Sequence, residues 1–395
     1  MLLIADSAQL AEFCERVSQS DFITVDTEFM RERTYWPQLC LVQVAGSSDV
    51  AAIDPLAEGI DLAPLLRLLY DERLLKVFHA ARQDIEIFFH MTGRIPSPLF
   101  DTQVAAMVCG YGDSVSYETL AAQLAGARTD KSVRFTDWSA RPLTDRQISY
   151  ALADVTHLRK VYAALAKRLM ASGRAGWLQE EMSTLLEPGT YRLEPEDAWR
   201  RLKPRPGSKP RLLAILREVA AWREREAQRR DIPRNRVLRD ETVMDIAAHA
   251  PSTVEEIARL RGLSKGLAEG RMGQDILVAV ARGVATPESE APHLPPPVEM
   301  PGGLGPVVEL LKVLLKMKCE RQQVAQKLVA SSADLERIAA DDNADVPALH
   351  GWRREVFGND ALALKHGRLA LTMSGKRIII MPLDPPAQAP NLMRA

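Results

Sequence analysis

Apolar and polar positions in the first hundred residues follow two different periods. FITVDTEF (22–29) opens with Phe22, Ile23 and Val25 around the β-branched Thr24, which predicts a buried strand. LCLVQVAG (39–46) and DVAAIDP (49–55) read as two more, separated by Ser47 and Ser48, so the three predict an antiparallel meander. LLKVFHA (74–80) reads as a fourth strand running into RQDIEIFFHMTG, where Ile85, Phe88 and Phe89 take helical spacing, and PLFDT (98–102) reads as a fifth. Strands interleaved with helices predict a mixed α/β sheet.

From Leu143 to about Leu186 the pattern is one continuous helix, with Thr144 as its N-cap and an apolar face of Ile148, Ala151, Leu152, Val155, Leu158 and Val161 or Tyr162. This helix closes a first domain over 1–187. Residues 188–209, marked by Pro188, Gly189, Pro195, Pro204, Pro206 and Gly207, read as a linker with at most a short helix at Glu196 to Leu202. All-helical regions over 210–286 and 304–385 follow, divided by the extended PESEAPHLPPPVEMPGG (287–303), with 386–395 as a tail. LLAILREVAAW (212–222) lines up with LGPVVELLKVL (304–314), and VMDIAAHAPSTVEEIARLRGL (243–263) with LERIAADDNADVPALHGW (335–352). A duplicated helical module of about 80 residues is one reading, and chance likeness of two amphipathic stretches is the other.

Composition adds one local feature to this outline. The 395 residues are 46% hydrophobic and 26% charged with a net charge of −1, which excludes wholesale disorder and a membrane bundle. Between Arg200 and Arg239, however, 14 Lys or Arg face 4 Asp or Glu. That excess suits a polyanion, or simply a solvated basic helix beside a linker. Cys14, Cys40, Cys109 and Cys319 form no CxxC or Cys/His cluster, so no zinc site is expected. No leader and no long apolar run is read, and the chain is expected to be cytoplasmic with reduced thiols.

The first strand carries a chemical contradiction, because it ends in Asp26 and Glu28. Positions i and i+2 of a strand share a face, and two carboxylates there repel unless a cation lies between them. An isolated DxE is common by chance. In SYALADVTHL, Tyr150 and Asp154 share one face of the long helix, near its apolar stripe, where an acid needs a partner. Asp84 opens the helix after the fourth strand; a first-turn carboxylate favoured by the helix dipole explains it equally well when taken alone. Brought together, four acids with no zinc-type ligand favour two hard divalent cations, Mg2+ or Mn2+, and such pairs hydrolyse phosphodiesters.

The ordered set Asp26-Thr27-Glu28, Asp84 and Tyr150-x-x-x-Asp154 resembles the DEDD exonucleases, in the subclass with tyrosine in the last motif. VDTEFMRERTYWPQLCLVQVA, HAARQDIEIFF and FDTQVAA are similar to the ribonuclease D family within it, and the helical region after residue 210 resembles two HRDC domains. The resemblance covers nearly the whole chain. It implies an RNase H-like catalytic domain and 3′–5′ exoribonuclease activity that releases 5′-monophosphates, with tRNA precursors as substrate and a monomer as the working unit. It also implies that Asp26 bridges two metals, that Glu28 and Asp154 complete the one serving the attacking water, that Asp84 holds the other, and that Tyr150 orients that water and helps deprotonate it. The same acids would serve a DNA exonuclease, and a non-catalytic nucleic-acid-binding protein is the reading of a different class.

Further candidates surround this set. Phe29 and Met30 suit the terminal nucleotide or the core, and His79 and Gln83 fall at the mouth of the cleft by position. Asp101 is expected to support the site rather than bind metal. Arg134, Phe135 and Trp138 in VRFTDWS could grip the RNA end, with packing as the alternative for Trp138. In the helical region Arg223, Arg229, Arg230, Arg234, Arg236, Arg261 and Lys265 are candidate phosphate contacts. The second module, with Asp341, Asp342 and Asp345 in the corresponding turn, is less suited to RNA.

Overall fold

The strand that ends in Asp26 and Glu28 lies near the middle of the sheet around which the first domain is built. The computed structural model describes residues 3–127, 132–133, 136–294 and 302–383. In it β1 (Leu3–Ile4), β2 (Phe22–Met30), β3 (Gln38–Ala45), β4 (Val50–Ile53), β5 (Leu75–Phe78) and β6 (Leu99–Asp101) form one sheet in the order β1-β4-β3-β2-β5-β6. β2, β3 and β4 make the antiparallel meander the spacing predicts, while β5 runs parallel to β2 and β6 to β5. The sheet has six strands where five were legible. β1, parallel to β4, is two residues long and offers no alternation to read.

Helices α1 (Ser7–Val17), α2 (Ala63–Leu69), α3 (Arg82–Thr92), α4 (Thr102–Val108), α5 (Tyr117–Ala125) and α6 (Asp145–Ser172) cover the sheet. Thr144 caps α6 through a capping box: its Oγ1 accepts from the Gln147 amide at 3.2 Å, and Gln147 Oε1 accepts from the Thr144 amide at 3.0 Å. The helix predicted to run unbroken to Leu186 stops at Gly173. That residue takes φ +67 and closes the last turn, and the chain restarts as α7 (Ala175–Leu185). The proline-marked stretch after it is more than a tether, because the 3-10 turn Pro195–Leu202 buries Ala198 and Trp199 in the core of the next unit.

That unit comprises α8 (Pro210–Arg230), α9 (Arg234–Val237), α10 (Asp240–His249), α11 (Val254–Ala258), α12 (Lys265–Glu269) and α13 (Arg271–Ala285). The next has α14 (Gly305–Gln322), α15 (Gln326–Val329), α16 (Ser332–Ala340), α17 (Gly351–Arg353), a π-helical turn (Arg354–Gly358) and α18 (Asn359–Lys365). In both, the long helix ends on a left-handed residue, Asp231 at φ 47 and Gln323 at φ 50, followed by a four-residue helix and then a longer one. The expectation of an all-α second unit is corrected at its end. β7 (Leu369–Ser374) and β8 (Arg377–Pro382) form a hairpin about the two-residue turn Gly375-Lys376, a local signal that the helical reading of 304–385 passed over. No helix among the described residues is long and apolar enough to cross a membrane.

Both helical units dock on the sheet domain through that left-handed corner. Asp231 Oδ1 accepts from the amides of Tyr35 and Trp36, each at 3.0 Å, and the Tyr35 hydroxyl donates to Glu224. In the second unit Arg174 donates to the Gln323 carbonyl at 2.9 Å, the Ala325 amide to the Met107 carbonyl at 2.9 Å, and Trp177 stacks on Trp352 at 4.2 Å. The approach is close at Gly110, where a Cβ would lie 2.5 Å from the Gln323 carbonyl oxygen on a backbone already at φ +80. Gly110→Ala should therefore lower stability by about 2–3 kcal/mol in denaturant titration. Gly59→Ala, at φ +75 with open space around it, should lose only about 1 kcal/mol of backbone strain. Equal losses would show that the corner contact contributes nothing.

Candidate active site

Three elements deliver the acids, and each is fixed by bonds outside the cluster. β2 pairs with β5 only over Phe22 to Thr24, so beyond Thr24 its edge on that side is open. β5 ends at Phe78, and the chain turns through Ala80 at φ 56 into α3, which carries Asp84 into the opening. Asp101 holds this turn: its carboxylate accepts from the Ala80 amide at 3.0 Å and the Ala81 amide at 2.8 Å, and it also caps α4 through Gln103 at 2.7 Å. That is the supporting role its position implied. α6 is keyed to β2 in turn. Thr24 Oγ1 donates to the Val155 carbonyl at 2.7 Å, and Arg159 donates to the carbonyls of Phe22 at 3.0 Å and Ala45 at 3.2 Å, its guanidinium 4.1 Å from the Phe22 ring centre. These bonds fix the helix along its axis and so place Tyr150 and Asp154.

Carboxylate oxygens of Asp26, Glu28 and Asp154 come within 4.8 Å of one another. Asp84, 6% exposed, shares the same cleft, and its carboxylate accepts from Thr27 Oγ1. Burial and then the Asp26 charge push its pKa well above the usual carboxylate range. The Tyr150 hydroxyl bonds to Asp154, and burial, Asp154 and Glu28 together push its pKa upward. Tyr117 is raised by burial and by the charges of Asp154 and Asp26, and its hydroxyl donates to the Asp154 main-chain carbonyl. Anions this close, in a set made only of oxygen ligands, are what a hard divalent cation relieves; the residues fit such an ion.

The cleft has a volume of about 450 Å3. Phe29, His79 and Gln83 line it as their positions suggested, whereas Met30 packs with Tyr150 against the Cys40, Leu41 and Trp138 cluster. His79 Nδ1 lies 3.0 Å from Thr102 Oγ1, and burial depresses its pKa, so the ring is neutral. Trp138 is 2% exposed with its ring centre 6.2 Å from that of Tyr150, so it backs the tyrosine and takes the packing role. Arg134 and Phe135 lie outside the described residues. Two of the basic candidates are corrected outright. Arg223 is 1% exposed and donates to the Leu238 carbonyl and Asp240, and Arg234 pairs with Glu224 over the Tyr35 ring. Their charges are internal fastenings. Arg229 and Arg230 pair with Glu226 and Lys265 with Glu269, all at the surface, and Arg236 and Arg261 are exposed.

Sequence reasoning missed Thr27 and Tyr117. Thr27 sits inside the DTE motif, where the two acids draw the reading, and its hydroxyl bonds Asp84 within the same cleft. Tyr117 follows Ser116, an ordinary N-cap, in a segment whose pattern signals only a short helix.

A family model described as 3′-5′ exonuclease matches residues 1–170, and one described as HRDC domain matches residues 213–280. The chain is 56% identical to ribonuclease D of Nitrobacter hamburgensis over 96% of this chain and 99% of that protein. It is 52% identical to ribonuclease D of Gluconacetobacter diazotrophicus over 96% of this chain and 97% of that one. Among solved structures it is similar to Escherichia coli RNase D, described as an exoribonuclease involved in structured RNA processing. The TM-score there is 0.77 at 32% identity, covering 92% of this chain and 97% of the other. With identity at this level over nearly the full length of its relatives, the chain belongs to the ribonuclease D family and is a 3′–5′ exoribonuclease.

Proposed function

We propose that the chain trims the 3′ ends of structured RNA, precursor tRNA foremost, one nucleotide at a time with release of 5′-monophosphates. In this reading two divalent cations, Mg2+ or Mn2+, serve the acid cluster. The observation that carries it is the convergence of Asp26, Glu28 and Asp154 within 4.8 Å beside a buried Asp84. Asp26 would hold both ions, Glu28 and Asp154 one of them and Asp84 the other. When bound, the ions neutralise charge at the phosphodiester and lower the pKa of the attacking water.

The chain's own side chains position the reactants. Tyr150, with its pKa raised from 10, stays a phenol at neutral pH. It orients a water through a hydroxyl that both donates and accepts. Thr27 fixes the Asp84 carboxylate, and Tyr117 pins the helix turn that bears Asp154. Phe29 offers an apolar face to the terminal base, while His79 and Gln83 reach the sugar and phosphate from the rim. The second helical unit is proposed as a divergent HRDC-like domain on the strength of the corner it shares with the first.

Digestion of a tRNA bearing a 3′ extension, beside a matched DNA strand and with each metal, tests the reading. Stepwise loss of 5′-monophosphates from the RNA is expected, and preference for DNA would overturn it. Asp26→Asn should lose about 1,000-fold or more in turnover. In chelator it should melt above the parent because one repelling charge is gone, yet gain no further stability from Mn2+, where the parent does. Tyr150→Phe should lower kcat by about 10- to 100-fold while keeping the Mn2+-induced rise in melting temperature.

A further inference from the structure

A second cleft, of about 360 Å3, lies where the sheet domain meets the first helical unit. Arg31 comes to its wall from the segment after β2, Arg82 from the first turn of α3, Arg201 from the 3-10 turn before α8, and Arg234 from α9; among the described residues Glu86 is the one acid lining it. Arg234 is committed to Glu224 at 2.7 Å, and that same carboxylate lies 4.0 Å from Arg201. Arg31 meets Glu86 at 3.3 Å. Arg82 is exposed and forms no ion pair among the described residues. Counted with Glu224 beneath them, four guanidiniums face two carboxylates, so the cleft keeps an excess of positive charge.

This cleft adjoins the catalytic one along two elements. Phe29 lines the catalytic cleft and Arg31, two residues on, lines this one; Gln83 lines the first and its neighbour Arg82 the second. A strand of RNA whose 3′ end lies among acids has to be held by cations just outside them, and guanidinium forks match phosphate oxygens. The Thr34 and Tyr191 hydroxyls already donate to the carbonyls of Trp36 at 2.6 Å and Leu185 at 2.8 Å. The arginines, with the exposed Asn235 amide, are thus the donors left, and they grip without reading bases.

We propose that this cleft holds the sugar–phosphate backbone of the RNA just upstream of the 3′ end engaged at the acid cluster, through Arg31, Arg82 and Arg201. The inference rests on the RNA-trimming reading above. It assigns RNA binding to the seam between the domains, where the first helical unit presents its docked corner, rather than to the exposed arginines of α8.

Arg82→Gln, Arg201→Gln and the double variant, in the full chain, test it. The ratio of kcat/KM on a long single-stranded RNA to that on a dinucleotide should fall about tenfold in the double variant, through KM. The slope of log affinity against log salt should shrink by about 0.7 for each arginine removed. Arg16→Gln, in the last turn of α1 and paired with Asp49, removes the same charge elsewhere and should leave both readouts at the parent value. An unchanged ratio and slope in the double variant would overturn the proposal, as would an equal loss in Arg16→Gln or on the dinucleotide. Anisotropy of labelled RNA in chelator reads binding without cleavage. A parent that binds through these arginines but does not trim RNA overturns the trimming reading and leaves the cleft standing.

Discussion

Mutual repulsion among four carboxylates is the condition that the rest of the catalytic domain has to meet. Among Asp26, Glu28 and Asp154, each charged pair opposes the arrangement by about 3.5 kcal/mol at the dielectric suited to a protein surface, before any cation enters. Hydrogen bonds from Thr27 to Asp84 and between Tyr150 and Asp154 ease part of it, and the main restraint comes from outside the cluster. β2 is bonded along its length to β3, α6 is locked to β2 through Thr24 and Arg159, and the Asp84 turn hangs on Asp101. The site is rigid because its scaffold is, and burial first and the Asp26 charge second hold the pKa of Asp84 high.

Much of this was legible in the residues. Strand β2 and its two acids, the capped start of α6 and the spacing of Tyr150 and Asp154 all follow from local pattern, because burial period and cap chemistry act over a few residues. What escaped reading depends on partners distant in sequence. Arg223 and Arg234 count as basic in any tally, yet their meaning is set by Asp240 and Glu224, which only the fold brings near. β1 is too short to show a period, Gly173 interrupts a helix whose apolar stripe hardly falters, and the terminal hairpin sits in a region whose other elements are helical.

The helical units show one local geometry put to the same use twice. A long helix, a left-handed residue and a four-residue helix make a corner whose amides and carbonyls are exposed for lateral bonding, and both units present that corner to the sheet domain. They reach different faces, one at the loop after β2 and one at the α4 and α7 side. The bonds differ as well: a carboxylate accepting two amides in the first, main-chain carbonyls and stacked indoles in the second. The two units share an attachment geometry while the bonds made there differ.

The short pairing between β2 and β5 deserves a final consideration of geometry. β2 continues for six residues past Thr24, the last of its residues to pair with β5, and those six include both Asp26 and Glu28. The catalytic cleft is in this sense a missing piece of sheet, its width given by how early one strand stops beside another. Two more paired residues on β5 would fill it with hydrogen-bonded backbone and push the Asp84 turn outward. Strand length, a quantity with no chemistry of its own, thereby decides whether these acids face a substrate or each other.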